Sequence, residues 1–273
     1  MSRISGAFHR CAVEGRAALI CYLTAGYPDA ESSIEHMIAA EKGGADVLEI
    51  GVPFSDPVAD GQVIQRTSQM ALEKGMTPKG VLELASKVRS RSNIPIVLMG
   101  YYNPIFRMGD EAFVHMASEA GVDGLIVADM PCEESEELGR LCRRHNVDLI
   151  QLVGPTTNGP RMRSIAAASS GYLYLVSSLG TTGARGELPA ELPQLIQRAK
   201  DAAGELPVAV GFGVSKREHA NGIAEAGADG VIVGSALLSS LSSEGTADRI
   251  SEFVKDLRQG CIRTSLELLP RKV

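Results

Sequence analysis

The chain has 273 residues, and no apolar run approaches the roughly 20 needed to span a bilayer. Before position 17 it carries Arg3, Arg10, Glu14 and Arg16 and no apolar stretch, which predicts no signal peptide. It also lacks a C-x-x-C pair and any Cys/His spacing typical of zinc sites. Its cysteines (Cys11, Cys21, Cys132, Cys142, Cys261) are odd in number and scattered, so they read as reduced thiols in a cytoplasmic protein, not as a disulfide framework. No basic cluster is interleaved with aromatics, and the net charge is −6. Neither nucleic acid nor membrane is therefore expected as a partner. No G-x-G-x-x-G follows the first apolar run, which weighs against a dinucleotide-binding open sheet.

What remains is an ordinary globular composition, 44% hydrophobic and 22% charged, long enough for one large core. Three segments repeat a pattern: GGADVLEIG (43–51), AGVDGLIVAD (120–129) and AGADGVIVGS (226–235). In each, glycine ends a helix-like stretch, aspartate sits in the turn, and an aliphatic run follows. That is the helix-to-strand turn of a parallel βαβ unit. The chain resolves into eight apolar runs, at 18–24, 47–52, 95–101, 124–129, 148–153, 172–177, 207–211 and 230–234. Several are continuously apolar, as strands buried on both faces must be.

Eight strands alternating with helices predict a (β/α)8 TIM barrel, an α/β fold, with a doubly wound open sheet as the alternative. The interval 62–94 accommodates two helices, 62–74 and 78–91, so an extra helix is expected between strands two and three. Residues 1–16 are read as an N-terminal helix plugging the barrel, with Ile4, Phe8 and Val13 as its apolar face. The barrel spans 17–258 in a single domain covering 1–273, and the tail 259–273 shows no usable periodicity.

In such a barrel, function sits where strands end. Glu49 lies inside the second apolar run, where burial against the helix layer would leave it unpaired at a cost of several kcal/mol. Facing the upper barrel interior it can meet a substrate, and apolar neighbours would raise its pKa into the range of a usable acid and base. Asp56 and Asp60 follow in the loop PFSDPVADG, where residue type alone leaves their roles open. After strand seven, GFGVSKRE (211–218) offers glycines and a Ser215/Glu218 capping box opening a helix; after strand eight, GSALL (234–238) does the same with glycine and serine. Such paired helix starts point to a phosphate grip. SSLGTTGARGE (177–187) reads as a mobile flap. The histidines (His9, His36, His115, His145, His219) lie in predicted helices or the N-terminal segment, and the lysines lie off the strands. A histidine-centred base, a metal site and a Schiff-base lysine are therefore not expected.

Several stretches together resemble the tryptophan synthase alpha subunit family: LEIGVPFSDPVADG (48–61), MGYYNP (99–104), VADMP (127–131), GPTT (154–157), YLVSSLGTTGARG (174–186), GFGV (211–214) and GSAL (234–237). The match runs in order over roughly 17–240. The resemblance implies a carbon–carbon lyase that splits indole-3-glycerol phosphate into indole and glyceraldehyde 3-phosphate. It places the family's general acid/base on Glu49, and on Asp60 the aspartate that hydrogen-bonds the indole N–H. The flap threonine that meets this aspartate falls on Thr182. The phosphate positions fall on Gly183, Gly213, Gly234 and Ser235, with Phe212 beside them. Tyr22, Tyr101, Ile126 and Tyr174 fall where the family lines the indole pocket.

The resemblance further implies a pyridoxal-phosphate beta subunit as partner in an alpha2beta2 complex, met through Pro53, Asp56, Pro57, Asn103, Phe106 and Pro131. No cofactor is expected in this chain itself. A stand-alone lyase, or a weakly catalytic activator of the beta subunit, are the alternatives. Gln62 stands where the family commonly has proline, Gly154 where it has alanine, and Cys21–Tyr22 where some members have proline–phenylalanine. None of these removes a catalytic group.

Overall fold

The apolar runs become strands because each must bury both faces, and only a sheet with helices outside and packed side chains inside provides that. The computed structural model describes residues 2–177, 188, 190–211, 213–241 and 246–263. Its parallel strands are β1 (Ala18–Thr24), β2 (Val47–Gly51), β3 (Ile96–Gly100), β4 (Gly124–Val127), β5 (Asp148–Ile150), β6 (Leu152–Val153), β7 (Leu173–Val176), β8 (Val208–Gly211) and β9 (Gly230–Val233). They run β5-β4-β3-β2-β1-β9-β8-β7-β6. The predicted fifth run is thus split at Gln151. Its first half ladders to β4 and its second to β7, and Gln151 O accepts from Tyr174 N at 3.0 Å. The split strand brings the two ends of the sheet together, giving the eight-stranded barrel its closure.

Around it lie α1 (Arg3–Val13), α2 (Ala30–Gly43), α3 (Gln62–Glu73), α4 (Pro78–Arg89), α5 (Tyr102–Met108), α6 (Asp110–Glu119), α7 (Glu136–Arg144), α8 (Gly159–Ala168), α9 (Leu192–Ala203), α10 (Arg217–Glu225), α11 (Ser235–Leu241) and α12 (Ala247–Gly260). The expected extra helix between strands two and three is present as the α3–α4 pair. Tyr101 opens a further short helix, α5, which accommodates Pro104 in its first turn. Among the described residues no helix is long and apolar enough to cross a membrane.

Side chains alternate along each strand between two cores. Leu19, Leu48, Leu98 and Leu125 face the helices, whereas Ile20, Val47, Val97, Ile126, Ile150, Tyr172, Tyr174 and Ile232 fill the barrel. Helix α1 closes the barrel floor with Ile4, Ala7, Phe8 and Cys11. Val13 does not belong to this face and is exposed. The buried positions follow a helical 4-7-8-11 stripe, and Val13 falls off it at the last helical residue. Gly124 and Gly230 leave room for the plug. A Cβ on Gly124 would stand 3.0 Å from Ile4 Cδ1, and one on Gly230 would stand 3.1 Å from Phe8 Cε1. Outside the floor, Arg3 holds Asp123 at 2.9 Å while Arg89 holds its other oxygen at 2.7 Å.

Candidate active site

Glu49 is the third residue of β2, and strand parity turns it inward. It is 0% exposed. Its Oε1 accepts a 2.5 Å hydrogen bond from the Tyr172 hydroxyl, and its Oε2 has no hydrogen-bond partner among the described residues. Burial pushes the carboxyl up to about 7, partly offset by the Tyr172 hydrogen bond. Both protonation states are therefore accessible near neutrality. Tyr172 is itself fully buried, immediately before β7. The motif reading missed it. Its signal was available, since Tyr172 lies two residues before Tyr174 and must share its inward face.

Asp60 enters from the loop after β2. Tyr101 fixes this loop: its hydroxyl accepts from Ala59 N at 3.0 Å, and its ring packs on Phe54 with centroids 5.2 Å apart. Asp60 is half-buried, and burial raises its carboxyl to about 6, with the Tyr101 hydroxyl pulling the other way. The Tyr22 and Tyr174 hydroxyls are pushed well up, first by burial and then by neighbouring carboxylate charge, from Asp60 at Tyr22 and from Glu49 at Tyr174. Four tyrosines (Tyr22, Tyr101, Tyr172, Tyr174) thus surround two carboxyl groups whose pKa values are both raised. Two strand-end glycines make room for this ring. A Cβ on Gly51 would overlap the Tyr22 hydroxyl, and one on Gly211 would overlap that of Tyr174. Ile126 contributes to the apolar interior on β4.

The three carboxylates of the β2 segment separate sharply. Asp56 is exposed and accepts from Ser55 Oγ at 2.5 Å. Asn103, Phe106 and Pro131 are also exposed, Pro57 is half-buried, and Pro53 is buried.

Gly213, Gly234 and Ser235 lie just beyond the neighbouring strands β8 and β9. Gly213 takes a left-handed φ of +83°, and a Cβ there would meet nothing within 4 Å. Gly234 packs against Tyr22. The expected Ser215/Glu218 capping box is absent. Lys216 is the N-cap of α10, with no side-chain cap, and His219 reaches back instead. Its Nδ1 lies 3.1 Å from Gly213 O and 3.4 Å from Ser215 N. The helix begins one residue later than the box requires, and the buried imidazole lies against the loop's polar groups. Thr182, Gly183 and Phe212 lie outside the described residues. Among the described residues, no group of three or more His, Cys, Asp or Glu could hold a metal ion.

Residues 8–263 match the family model for the tryptophan synthase alpha chain. The chain belongs to the tryptophan synthase alpha chain family. It is 44% identical over 268 residues to the tryptophan synthase alpha chain of Citrifermentans bemidjiense, covering 97% of this chain and 100% of that one. It is also 44% identical over 264 residues to that of Methanosarcina barkeri, covering 96% and 98%. Among solved structures, tryptophan synthase of Mycobacterium tuberculosis superposes with a TM-score of 0.89 at 37% identity, covering 96% of this chain and 98% of the other. Tryptophan synthase subunit alpha from Legionella pneumophila gives 0.87 at 37% identity, covering 96% and 98%.

As an alpha chain this protein is a carbon–carbon lyase of tryptophan biosynthesis, cleaving indole-3-glycerol phosphate to indole and glyceraldehyde 3-phosphate. Alpha chains work without a cofactor; the pyridoxal phosphate of tryptophan synthase belongs to the beta subunit. Two departures from the family pattern are sterically mild. Gln62 is the first residue of α3, where proline is also well tolerated, and a Cβ on Gly154 would meet nothing within 4 Å.

Proposed function

We propose that Glu49 is the general acid/base of the cleavage and that Asp60 stabilises the indole nitrogen. The carrying observation is the burial of Glu49 inside the barrel with a carboxyl raised to about 7. In the retro-aldol step the protonated carboxyl gives its proton to C3 of the indole ring. The ring nitrogen then carries positive charge, which the Asp60 carboxylate offsets in a partly dry site. The Glu49 carboxylate so formed next takes the proton of the hydroxyl on the side-chain carbon bonded to C3. That carbon becomes the aldehyde of glyceraldehyde 3-phosphate, and the electrons of the breaking carbon–carbon bond return to the ring, releasing indole. One proton is given and one taken, so Glu49 ends as it began.

Gly213, Gly234 and Ser235 are assigned to the phosphate, together with Gly183 and Phe212. Tyr22, Tyr101, Ile126 and Tyr174 are assigned to the indole pocket, and Thr182 to contact with Asp60. We assign Asp56, Pro57, Asn103, Phe106 and Pro131 to a face that meets the beta subunit of an alpha2beta2 complex. Pro53 acts from beneath that face, since it is buried. The exposure of Phe106 and Val58, both large and apolar, supports an interface there. Five free cysteines support a cytoplasmic setting.

Indole release from indole-3-glycerol phosphate, assayed with and without added beta subunit, tests this reading. Strong stimulation is expected. A high rate that the beta subunit leaves unchanged would select a stand-alone lyase, and no release in either case would leave only an activator.

A further inference from the structure

The parallel strands run from floor to mouth, so residues that immediately precede them lie at the floor. Leu206 and Pro207 precede β8, and Asp229 precedes β9. With the outer face of α1 and Arg263 they enclose a cleft of about 730 Å³, at the opposite end of the barrel from the strand-end glycines. That is the size of an ordinary small-molecule site. Phe8, Leu206 and Pro207 give it an apolar wall.

The charges of this cleft divide into those met within the protein and those that are not. Arg16 is held by Asp46 through both guanidinium branches, at 2.6 and 2.8 Å, and by Glu14 at 2.6 Å. Lys200 Nζ donates to Asp229 at 2.9 Å and to the Gly227 carbonyl at 3.0 Å, which leaves one of its three N–H donors. Arg263 donates from Nε and Nη2 to the carbonyls of Ala224 and Ala228, at 3.3 and 2.8 Å. Those contacts hold the guanidinium without neutralising it, and among the described residues Arg263 meets no carboxylate. Glu205 is exposed on the rim and meets no cation among the described residues. One uncompensated cation and one uncompensated carboxylate therefore line the same cleft without pairing, beside an apolar wall.

We propose that this floor cleft binds a zwitterionic α-amino acid with a large apolar side chain. The ligand carboxylate takes the open N–H groups of Arg263 and Lys200, its ammonium faces Glu205, and its side chain packs on Phe8, Leu206 and Pro207. A simple anion would be left facing Glu205, and a simple cation would be left facing Arg263 and Lys200. A ligand with both charges and an apolar arm meets all three features. The site is separate from the cleavage site and does not depend on the roles given to Glu49 and Asp60.

Saturation-transfer NMR on the full chain, with L-phenylalanine as the probe, tests this. L-Phenylalanine is expected to bind with a Kd of about 1 mM or tighter. Phenethylamine, which lacks the carboxylate, and 3-phenylpropanoate, which lacks the ammonium, should each bind at least about fivefold more weakly. Arg263→Met keeps most of the stem and removes the charge, and Glu205→Gln keeps the shape and removes the charge. Each should weaken L-phenylalanine by at least about fivefold, which separates the floor cleft from the mouth. Should Arg263→Met fail to fold, as judged by circular dichroism, Glu205→Gln and the two analogues carry the test. The proposal is overturned if L-phenylalanine shows no saturable binding up to about 10 mM. It is overturned equally if either analogue binds as tightly as the amino acid, or if the folded variants bind it like the wild type.

Discussion

Tyr172 and Glu49 meet across the barrel interior through a 2.5 Å hydrogen bond, and neither residue touches solvent. The pair holds a carboxylate where a folded protein would otherwise avoid one. Its consequences reach stability as well as catalysis.

Burial raises the Glu49 carboxyl to about 7 in the fold, against an ordinary value of 4.5. A carboxyl raised by folding leaves stability intact below the unfolded value. Stability is then lost as pH rises through the folded value, because the native state must ionise a buried group. Wild-type stability is therefore expected to fall between about pH 4.5 and 7, by on the order of 3 kcal/mol from this group. Glu49→Gln should lack that fall and be the more stable protein at pH 8. Urea unfolding at pH 5 and pH 8 checks this; an identical pH dependence in both proteins would contradict it.

Gly211 lies directly beneath the Tyr174 hydroxyl. Gly211→Ala should displace a ring that lines the mouth, lowering stability by about 1–3 kcal/mol through overpacking and raising KM for the substrate. Thermal unfolding and steady-state kinetics read both effects. A variant with wild-type KM would remove Tyr174 from the substrate pocket.

At the proposed phosphate grip, Gly234→Asp puts a negative charge where an anion is expected and a side chain against Tyr22. KM should rise at least tenfold, about 1.4 kcal/mol of lost binding. An unchanged KM would move the phosphate elsewhere.

The loop before α10 offers a contrast. Ser215→Ala should change stability by less than about 0.5 kcal/mol, because no capping box forms there. His219→Ala should cost about 1–3 kcal/mol, since the buried imidazole lies against the Gly213 carbonyl and the Ser215 N–H. Denaturant midpoints of the two variants decide the order.

How much of this was legible in the sequence depends on the range of the cause. The strands were visible because a parallel strand buried on both faces leaves a continuous apolar run. Glu49 stood out because a carboxylate within such a run is costly anywhere but the barrel interior. The N-terminal plug was visible in outline through Ile4 and Phe8, while Val13 required the helix phase relative to the floor. The different surroundings of Asp56 and Asp60 were not legible, since the residue that positions the loop, Tyr101, lies 42 residues from Ala59. The displaced start of α10 was hidden for a similar reason: His219 competes for the loop's polar groups, and a motif read by spacing alone does not weigh that competition. Tyr172 was within reach of the period-two rule, but its partner lies 123 residues away.

The most direct measurement is indole formation by Glu49→Gln in the complex with the beta subunit, alongside equilibrium binding of a substrate analogue carrying the phosphate. Turnover should fall at least about a hundredfold, the range expected for loss of a general acid/base, with binding preserved within about threefold. Retention of more than about one tenth of wild-type turnover, only ~1.4 kcal/mol of barrier, would contradict the role assigned to Glu49.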